Sequence, residues 1–179
     1  MKKNIFAKTA AIVGIGTVIV FVLNRFLAFP TWIEKTYIYP GVAFLAAFAA
    51  AFGPIPGALI GFISHLLVDL TRGEIWWRWA TASSVLGFVI GFLRKSYGIQ
   101  EGKFGITQAL VFNIVQISAN ILSYIFFVNT PNLFREEYMN DMTMRGFVAA
   151  AFDMAVILIF GTLILFFYSK NMAKNGKAK

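Results

Sequence analysis

The sequence predicts an all-α integral membrane protein that forms a six-helix transmembrane bundle in a single domain spanning residues 1–179. Of the 179 residues, 59% are hydrophobic and 13% are charged, whereas soluble domains carry about 25% charged residues. Apolar runs such as Gly41–Phe52 and Phe147–Tyr168 contain at most one acidic residue. This composition leaves no length for a soluble catalytic or nucleotide-binding domain, so any ATP-driven step would require another chain.

The first helix follows Lys2 and Lys3, a pattern that also begins a secretory signal peptide. Its apolar run, Ile5–Leu23, is longer than a signal peptide needs, and no small-residue cleavage site precedes Arg25. We therefore predict a retained helix.

The later helices follow from further apolar segments, and a transmembrane helix needs about 20 residues. The second and third are short, and we interpret them as two helices separated by a turn at Gly53–Gly57. The predicted spans are approximately 5–27, 39–52, 55–71, 75–94, 105–128 and 146–169.

The distribution of basic residues predicts that both termini are cytoplasmic in a multi-pass protein of the cell membrane. In that orientation Glu101 is the single acidic residue among the inner segments, which hold ten of the sixteen basic residues: Lys2, Lys3, Lys8, Arg94, Lys95, Lys103, Lys170, Lys174, Lys177 and Lys179. The net charge of +8 is then mainly a topology signal, which argues against a nucleic-acid partner.

Polar residues interrupt the apolar segments, and this orientation places them in the outer half of the bilayer or at its midplane. They are Asn24, Arg25, His65, Asp69, Asn113, Gln116, Asn120 and Asp153. Polar groups in a membrane are costly and usually functional. A one-sided cluster predicts a pocket that opens outward, not a channel.

Helix 5 carries Asn113, Gln116, Asn120 and Tyr124 at spacings of three, four and four residues, so they share one helical face. Amides donate and accept hydrogen bonds, which suits a neutral ligand rich in heteroatoms. The alternative is hydrogen bonding between helices. We expect the ligand-facing role.

His65 and Asp69 are four residues apart on one face of helix 3. A metal site would need more ligands, and the chain has one His and no Cys, so we expect neither a metal nor a cofactor. The pair either contacts the ligand or fastens the loop that leads into helix 4. The sequence leaves both roles open.

Three tryptophans begin helix 4. Trp side chains favour the membrane interface, but Trp76, Trp77 and Trp79 cannot all face lipid. Trp76 and Trp79 share a face and are the candidates for stacking on a ligand. In the first loop, Trp32 adds aromatic surface that could cover the pocket, and Asp153 on helix 6 either contacts the ligand or pairs with a polar neighbour.

Small residues spaced by four characterise the inner half: Ala7 and Ala11, Gly57 and Gly61, Gly87 and Gly91. Such pairs permit close helix approach. Ala7 and Ala11 lie at the cytoplasmic end of the first helix, where a partner subunit could dock.

The order of the motifs resembles the substrate-binding S component of energy-coupling factor (ECF) vitamin transporters. The resemblance covers nearly the whole chain, but Ser64 stands where glycine is expected, and the acidic loop 134–141 has no counterpart. The matching segments are Tyr39–Ala43, Phe52–Pro54, Gly57 to Asp69, Ile75–Trp77, Gly87 to Gly91 and Leu110–Asn120.

The resemblance implies that the chain binds a water-soluble vitamin or precursor from outside and topples in the membrane to release it inside. It implies a transmembrane T subunit, which Ala7 and Ala11 would face, and two cytoplasmic ATPase subunits as partners. The chain itself would not be an enzyme. A ligand like hydroxymethylpyrimidine or pyridoxine is favoured, and cobalamin is possible.

Two other functional classes are weaker. A stand-alone secondary transporter should contain paired broken helices in two repeated halves, and only the Gly53–Gly57 break is visible. A membrane enzyme using His65 and Asp69 would need a nucleophile or metal constellation, which the sequence does not offer.

Overall fold

The computed structural model describes residues 2–128 and 139–177, and this part of the chain is mainly helical. The all-α fold class is thereby confirmed. The helices are α1 (Lys2–Phe26), α2 (Gly41–Phe52), α3 (Pro54–Arg72), α4 (Trp77–Phe92), α5 (Ile106–Asn120), α6 (Met139–Val156) and α7 (Thr162–Lys177). A π-helical segment, Ile121–Val128, continues α5, and another, Ile157–Gly161, joins α6 to α7.

Four described helical segments are long and apolar enough to cross a membrane: Phe6–Phe26, Pro54–Arg72, Ile106–Tyr124 and Met144–Asn175. The helix α2 is apolar but shorter. The last helix continues to Lys177, beyond the predicted end at 169, and the π-helical segment carries α6 into α7 without a break. Six crossings and cytoplasmic termini stay predictions.

The turn between α2 and α3 is shorter than predicted. Gly53 alone separates the two helices, and α3 already begins at Pro54, so Gly57 is helical rather than part of a turn. Gly53 has φ 107° and ψ −176°, a conformation that side chains with a Cβ atom rarely adopt. Proline is compatible with the first helical turn because the N–H that it lacks has no helical partner there.

The closest helix packing joins α3 to α4 through the two glycine pairs predicted to allow it. A Cβ atom on Gly57 would lie 2.5 Å from the carbonyl oxygen of Gly87, and one on Gly61 would collide with the carbonyl of Ser83. The alanine-rich α2 is buried in the core, with Ala43, Ala46 and Ala49 fully covered. Small side chains therefore let three helix backbones pack closely.

The connection between α1 and α2 contains a short hairpin that was not predicted. Its strands, β1 (Phe29–Pro30) and β2 (Tyr37–Ile38), pair antiparallel. A 3₁₀ helix, Arg94–Tyr97, follows α4. At the end of α1, the Oδ1 atom of buried Asn24 accepts a 2.8 Å hydrogen bond from the Gly41 N–H. Asn24 thus fastens the end of α1 to the start of α2.

Gly57→Ala should destabilise the protein by about 1–3 kcal/mol, because its new methyl group overpacks the contact with the Gly87 backbone. Gly14→Ala is the matched control, since a Cβ atom there would meet nothing within 4 Å; its effect should stay within about 1 kcal/mol. Thermal unfolding in neutral detergent measures both. Equal unfolding midpoints for the two variants would contradict the close crossing.

Candidate functional site

A cavity of about 360 Å³ opens at the end of the bundle where α1 and α3 end and α4 begins. The hairpin supplies one wall, and α6 contributes Arg145 and Ala149. The lining combines charged, hydroxyl and aromatic side chains: Arg25, Lys35, Thr36, Tyr37, Tyr39, His65, Asp69, Thr71, Arg72, Glu74, Trp76, Trp79, Arg145 and Ala149. His65, Asp69, Trp76 and Trp79 of the predicted site therefore meet in one cavity.

Asp69 has a structural contact as well as a position on the cavity. Its Oδ2 atom accepts a 2.9 Å hydrogen bond from the backbone N–H of Trp76, the residue that precedes α4. Backbone N–H groups at a helix start lack helical partners, so this bond fixes the connection from α3. One of the two roles predicted for the pair, fastening the loop into α4, is thus present for Asp69.

His65 connects the cavity to a buried polar chain instead of forming a close pair with Asp69. Its Nε2 atom is 3.8 Å from Asp69 Oδ1, too far for a hydrogen bond. Its Nδ1 atom is 3.0 Å from Ser83 Oγ, which is 3.0 Å from the Tyr124 hydroxyl. Tyr124 also interacts with the Asp153 carboxyl group. This polar chain links α3, α4, the π-helical segment after α5, and α6.

Tyr124 and Asp153 are buried beneath this cavity and are not part of its lining. Tyr124 also packs against Trp79, with 5.7 Å between ring centroids. Any change at Trp79 can therefore reach the polar chain. Asp153 was predicted either to contact the ligand or to pair with a polar neighbour. The structure contains the second of these, with Tyr124 as the neighbour.

Arg72 binds the hairpin to the end of α3, and sequence reasoning missed this contact. Its Nη1 atom donates a 2.7 Å hydrogen bond to the Tyr39 hydroxyl, and its guanidinium carbon is 4.2 Å from the Tyr37 ring centroid. Burial raises the pKa of Tyr39 despite the opposing effect of Arg72, so the hydroxyl stays protonated at neutral pH. The alternation of Tyr37 and Tyr39 places both side chains on one side of an extended chain, which was the available signal.

The contacts of Arg72 form one clasp between the hairpin and α3, and a second clasp lies at the rim of the cavity. Lys35 Nζ is 3.4 Å from Glu74 Oε2, and the Trp76 indole N–H donates a 3.2 Å hydrogen bond to the same oxygen. The clasp connects the hairpin to the loop between α3 and α4. With Arg25, Arg72, Arg145 and Asp69, the lining contains four basic and two acidic residues. The site thus offers both hydrogen-bonding groups and aromatic surfaces to a ligand.

The amides of α5 do not line this cavity. Asn113 Nδ2 donates to Thr162 Oγ1 over 3.0 Å, and Gln116 Nε2 donates to the Met154 carbonyl over 3.3 Å. Asn120 Nδ2 donates to Gln116 Oε1 over 3.1 Å. These bonds match the alternative of hydrogen bonding within and between helices. A ligand-facing role for Asn113, Gln116 and Asn120 stays a prediction.

Two buried oxygens beside the amide network still have hydrogen-bonding capacity. In the described part of the chain, Asn120 Oδ1 and Ser123 Oγ have no hydrogen-bond partner. Buried polar atoms are normally paired, and these two belong to residues four and one positions before Tyr124. They are the positions where the α5 network can still accept a bond from a water molecule or a ligand.

Two of the four tryptophans line the cavity, and the other two are largely exposed. Trp76 and Trp79 line the cavity, whereas Trp77 is 57% exposed and packs on Phe62. Trp32, the predicted cover, is 77% exposed and contacts Phe152 with 5.7 Å between ring centroids. It lies outside the cavity lining.

Among residues 2–128 and 139–177, no group of three or more His, Asp or Glu side chains could hold a metal ion. Of the acidic loop 134–141, residues 134–138 lie outside the described ranges.

Comparison with known proteins supplies the family. A family model for ECF-type riboflavin transporter S components matches residues 4–171. The chain belongs to this S-component family. The UPF0397 protein of Lactobacillus helveticus is 38% identical over 180 residues, covering 99% of this chain and 97% of its own length. The UPF0397 protein of Clostridium perfringens strain SM101 is 35% identical over 182 residues, covering 100% and 98%. No solved structure matches the chain.

Membership confirms the predicted resemblance and makes the chain a membrane-embedded component of a transporter. S components of ECF transporters work in general with T and ATPase modules. The family therefore accounts for the long apolar helices in the described part of the chain. Its substrate and its own partners are a separate question.

Ser83→Ala should lower stability by about 1–3 kcal/mol, because it leaves the His65 ring nitrogen and the buried Tyr124 hydroxyl without their shared partner. Ser84→Ala removes the same group one position along α4, and it should change the unfolding midpoint little. Thermal unfolding in neutral detergent compares them. An unchanged midpoint for Ser83→Ala would show that the polar chain contributes nothing to the fold.

Proposed function

We propose that this chain captures a small water-soluble vitamin or vitamin precursor from outside the cell and passes it inward with a T subunit and two cytoplasmic ATPase subunits. The observation that carries the proposal is the cavity at one end of the bundle, in a chain of the S-component family. Basic residues are in excess in the segments at the opposite end of the bundle, which are predicted to be cytoplasmic. This distribution supports a cavity that faces outward.

The size of the cavity supports a small ligand. Its volume of about 360 Å³ lies near the lower end of the roughly 300–1,000 Å³ typical of small-molecule sites. Hydroxymethylpyrimidine or pyridoxine fits this range, and riboflavin enters the candidates because the family description names it. Cobalamin, with its corrin ring and nucleotide loop, is much larger and is the least favoured of the four.

The lining supports a planar ligand with polar substituents. Trp76, Trp79 and Tyr39 present aromatic rings, while His65 and Arg72 present nitrogen groups. Offset or edge contacts to a ring can orient such a ligand, and the polar groups can select its substituents. The clasps that hold the hairpin keep this lining assembled before a ligand enters.

The first helix supports docking by a T subunit. Ala7 and Ala11 are exposed, and Gly14 lies one turn further along the same helix, where an added Cβ atom would meet nothing within 4 Å. Small residues on a helix face allow a second helix to approach closely. A small-residue surface comprising Ala7, Ala11 and Gly14 would thus meet the partner.

Trp79→Ala should weaken ligand binding about tenfold, because an aromatic pair contributes about 0.5–1.5 kcal/mol beyond the area that it buries. Isothermal titration of purified protein with riboflavin, hydroxymethylpyrimidine, pyridoxine and cobalamin first identifies the ligand. Trp77→Ala, on the outer surface two positions away, is the matched control and should bind as tightly as the parent. Equal affinities for both variants would refute the assignment of the cavity.

Ala7→Leu and Ala11→Leu should each reduce co-purification with the T subunit, because the larger side chains hold the two helices apart. Vitamin binding by the isolated chain should persist. Ala155→Leu, at an exposed alanine on α6, adds the same bulk elsewhere and should leave assembly intact. Full assembly of the Ala7 and Ala11 variants would place the docking surface on another helix.

A further inference from the structure

A second cavity lies at the opposite end of the bundle. It has a volume of about 490 Å³ and is bounded by the first turns of α1, the end of α2 and the 3₁₀ helix after α4. Lys8 lines this cavity and Arg25 lines the first. At a rise of 1.5 Å per residue, these residues are about 26 Å apart along α1. That separation approaches the thickness of a hydrocarbon core, about 30 Å.

The walls of this basic groove are held in place by side-chain caps on α2. Arg94 Nη1 donates a 2.8 Å hydrogen bond to the Phe52 carbonyl, and Gln100 Nε2 donates a 2.9 Å bond to the Ala51 carbonyl. The last carbonyls of a helix have no helical partners, so both bonds satisfy groups that the fold leaves open. The groove therefore has fixed walls.

The charges in the groove are unbalanced. Lys8, Arg94 and Lys95 line it together with one carboxylate, Glu101. Within the described residues, neither Lys8 nor Lys95 has a hydrogen bond or an ion pair. Arg94 uses one of its five N–H donors on Phe52. The Thr9 hydroxyl adds a further donor at the same wall.

Apolar groups surround these charges. Ile12 and Phe52 form part of the groove, and Phe6 and Phe92 at the same end of the bundle are 78% and 69% exposed. A soluble anion has no apolar part that could pack against these groups. A phospholipid, in contrast, has a phosphate next to acyl chains. Basic pockets between transmembrane helices are known to bind anionic lipid headgroups.

We propose that the basic groove binds the headgroup phosphate of an anionic phospholipid, with Lys8 and Lys95 as its main charge contacts and Arg94 as a fixed donor. The acyl chains then lie against Phe6, Ile12 and Phe92. The lipid fills the groove between α1 and the 3₁₀ helix, and it anchors this end of the protein at the headgroup level. This site is separate from the vitamin cavity and does not depend on it.

Native mass spectrometry of the full chain from neutral detergent tests the site. Phosphatidylglycerol and phosphatidylcholine with identical acyl chains are the probes, and the parent protein should retain phosphatidylglycerol preferentially. The double variant Lys8→Gln/Lys95→Gln should reduce this preference roughly twenty-five-fold, since each basic residue near a lipid surface contributes about fivefold. Lys170→Gln/Lys174→Gln removes the same charge outside the groove, and it should keep the preference.

The remaining comparisons distinguish this lipid from other occupants. Glycerol phosphate in excess should not displace phosphatidylglycerol, because it lacks acyl chains; displacement would show a soluble-anion site and overturn the proposal. Equal losses in both double variants would show nonspecific attraction and also overturn it. A third outcome would also overturn the proposal: Lys8→Gln/Lys95→Gln keeps the lipid preference but no longer co-purifies with the T subunit. That result would assign the groove to the protein partner.

Thermal unfolding in lipid-free detergent checks that the variants fold. Among residues 2–128 and 139–177, Lys8 and Lys95 form no hydrogen bond or ion pair, so Lys8→Gln/Lys95→Gln should unfold at the parent temperature there. Added phosphatidylglycerol should then stabilise the parent protein more than this variant. Equal stabilisation of the two proteins would contradict the site.

Discussion

The crossing of α3 over α4 is the constraint on which the candidate site depends. At Gly57 and Gly87 the two backbones approach too closely for a Cβ atom, and Gly61 rests against the Ser83 carbonyl. One turn beyond Gly61, this approach puts His65 within 3.0 Å of Ser83. Polar contacts inside a membrane need such fixed distances, because an unpaired polar group there is costly.

At both ends of the bundle, side chains form hydrogen bonds to backbone groups at helix ends, and these bonds hold the walls of two different cavities. At one end Asp69 binds the N–H group that precedes α4, and at the other Arg94 and Gln100 bind the last carbonyls of α2. Each contact satisfies backbone groups that a helix end leaves open, and each fixes a cavity wall. The small-residue helix crossings between these ends give the bundle its closely packed middle. Two separate cavities, one polar and aromatic and one basic and apolar, follow from this plan.

Composition predicted the helical fold, and residue type together with helical spacing predicted four residues of the cavity. The family was predicted separately, from the resemblance of its motifs and their order. Spacing says which face of a helix a residue occupies, but it does not say which neighbour that face meets. Asn113 and Gln116 share a face as predicted, and their bonds go to α7 and α6. Arg72 was missed because its partner Tyr39 is 33 residues away in a hairpin, and two-residue strands leave almost no periodic signal.

In the proposed function, this chain alone forms a vitamin site at one end of its bundle. Native mass spectrometry of the isolated protein, mixed with the four candidate vitamins without ATP, T subunit or ATPases, tests it most directly. We expect one bound molecule of a single compound per chain. Absence of any adduct from the isolated chain, with binding only in the assembled transporter, would contradict it.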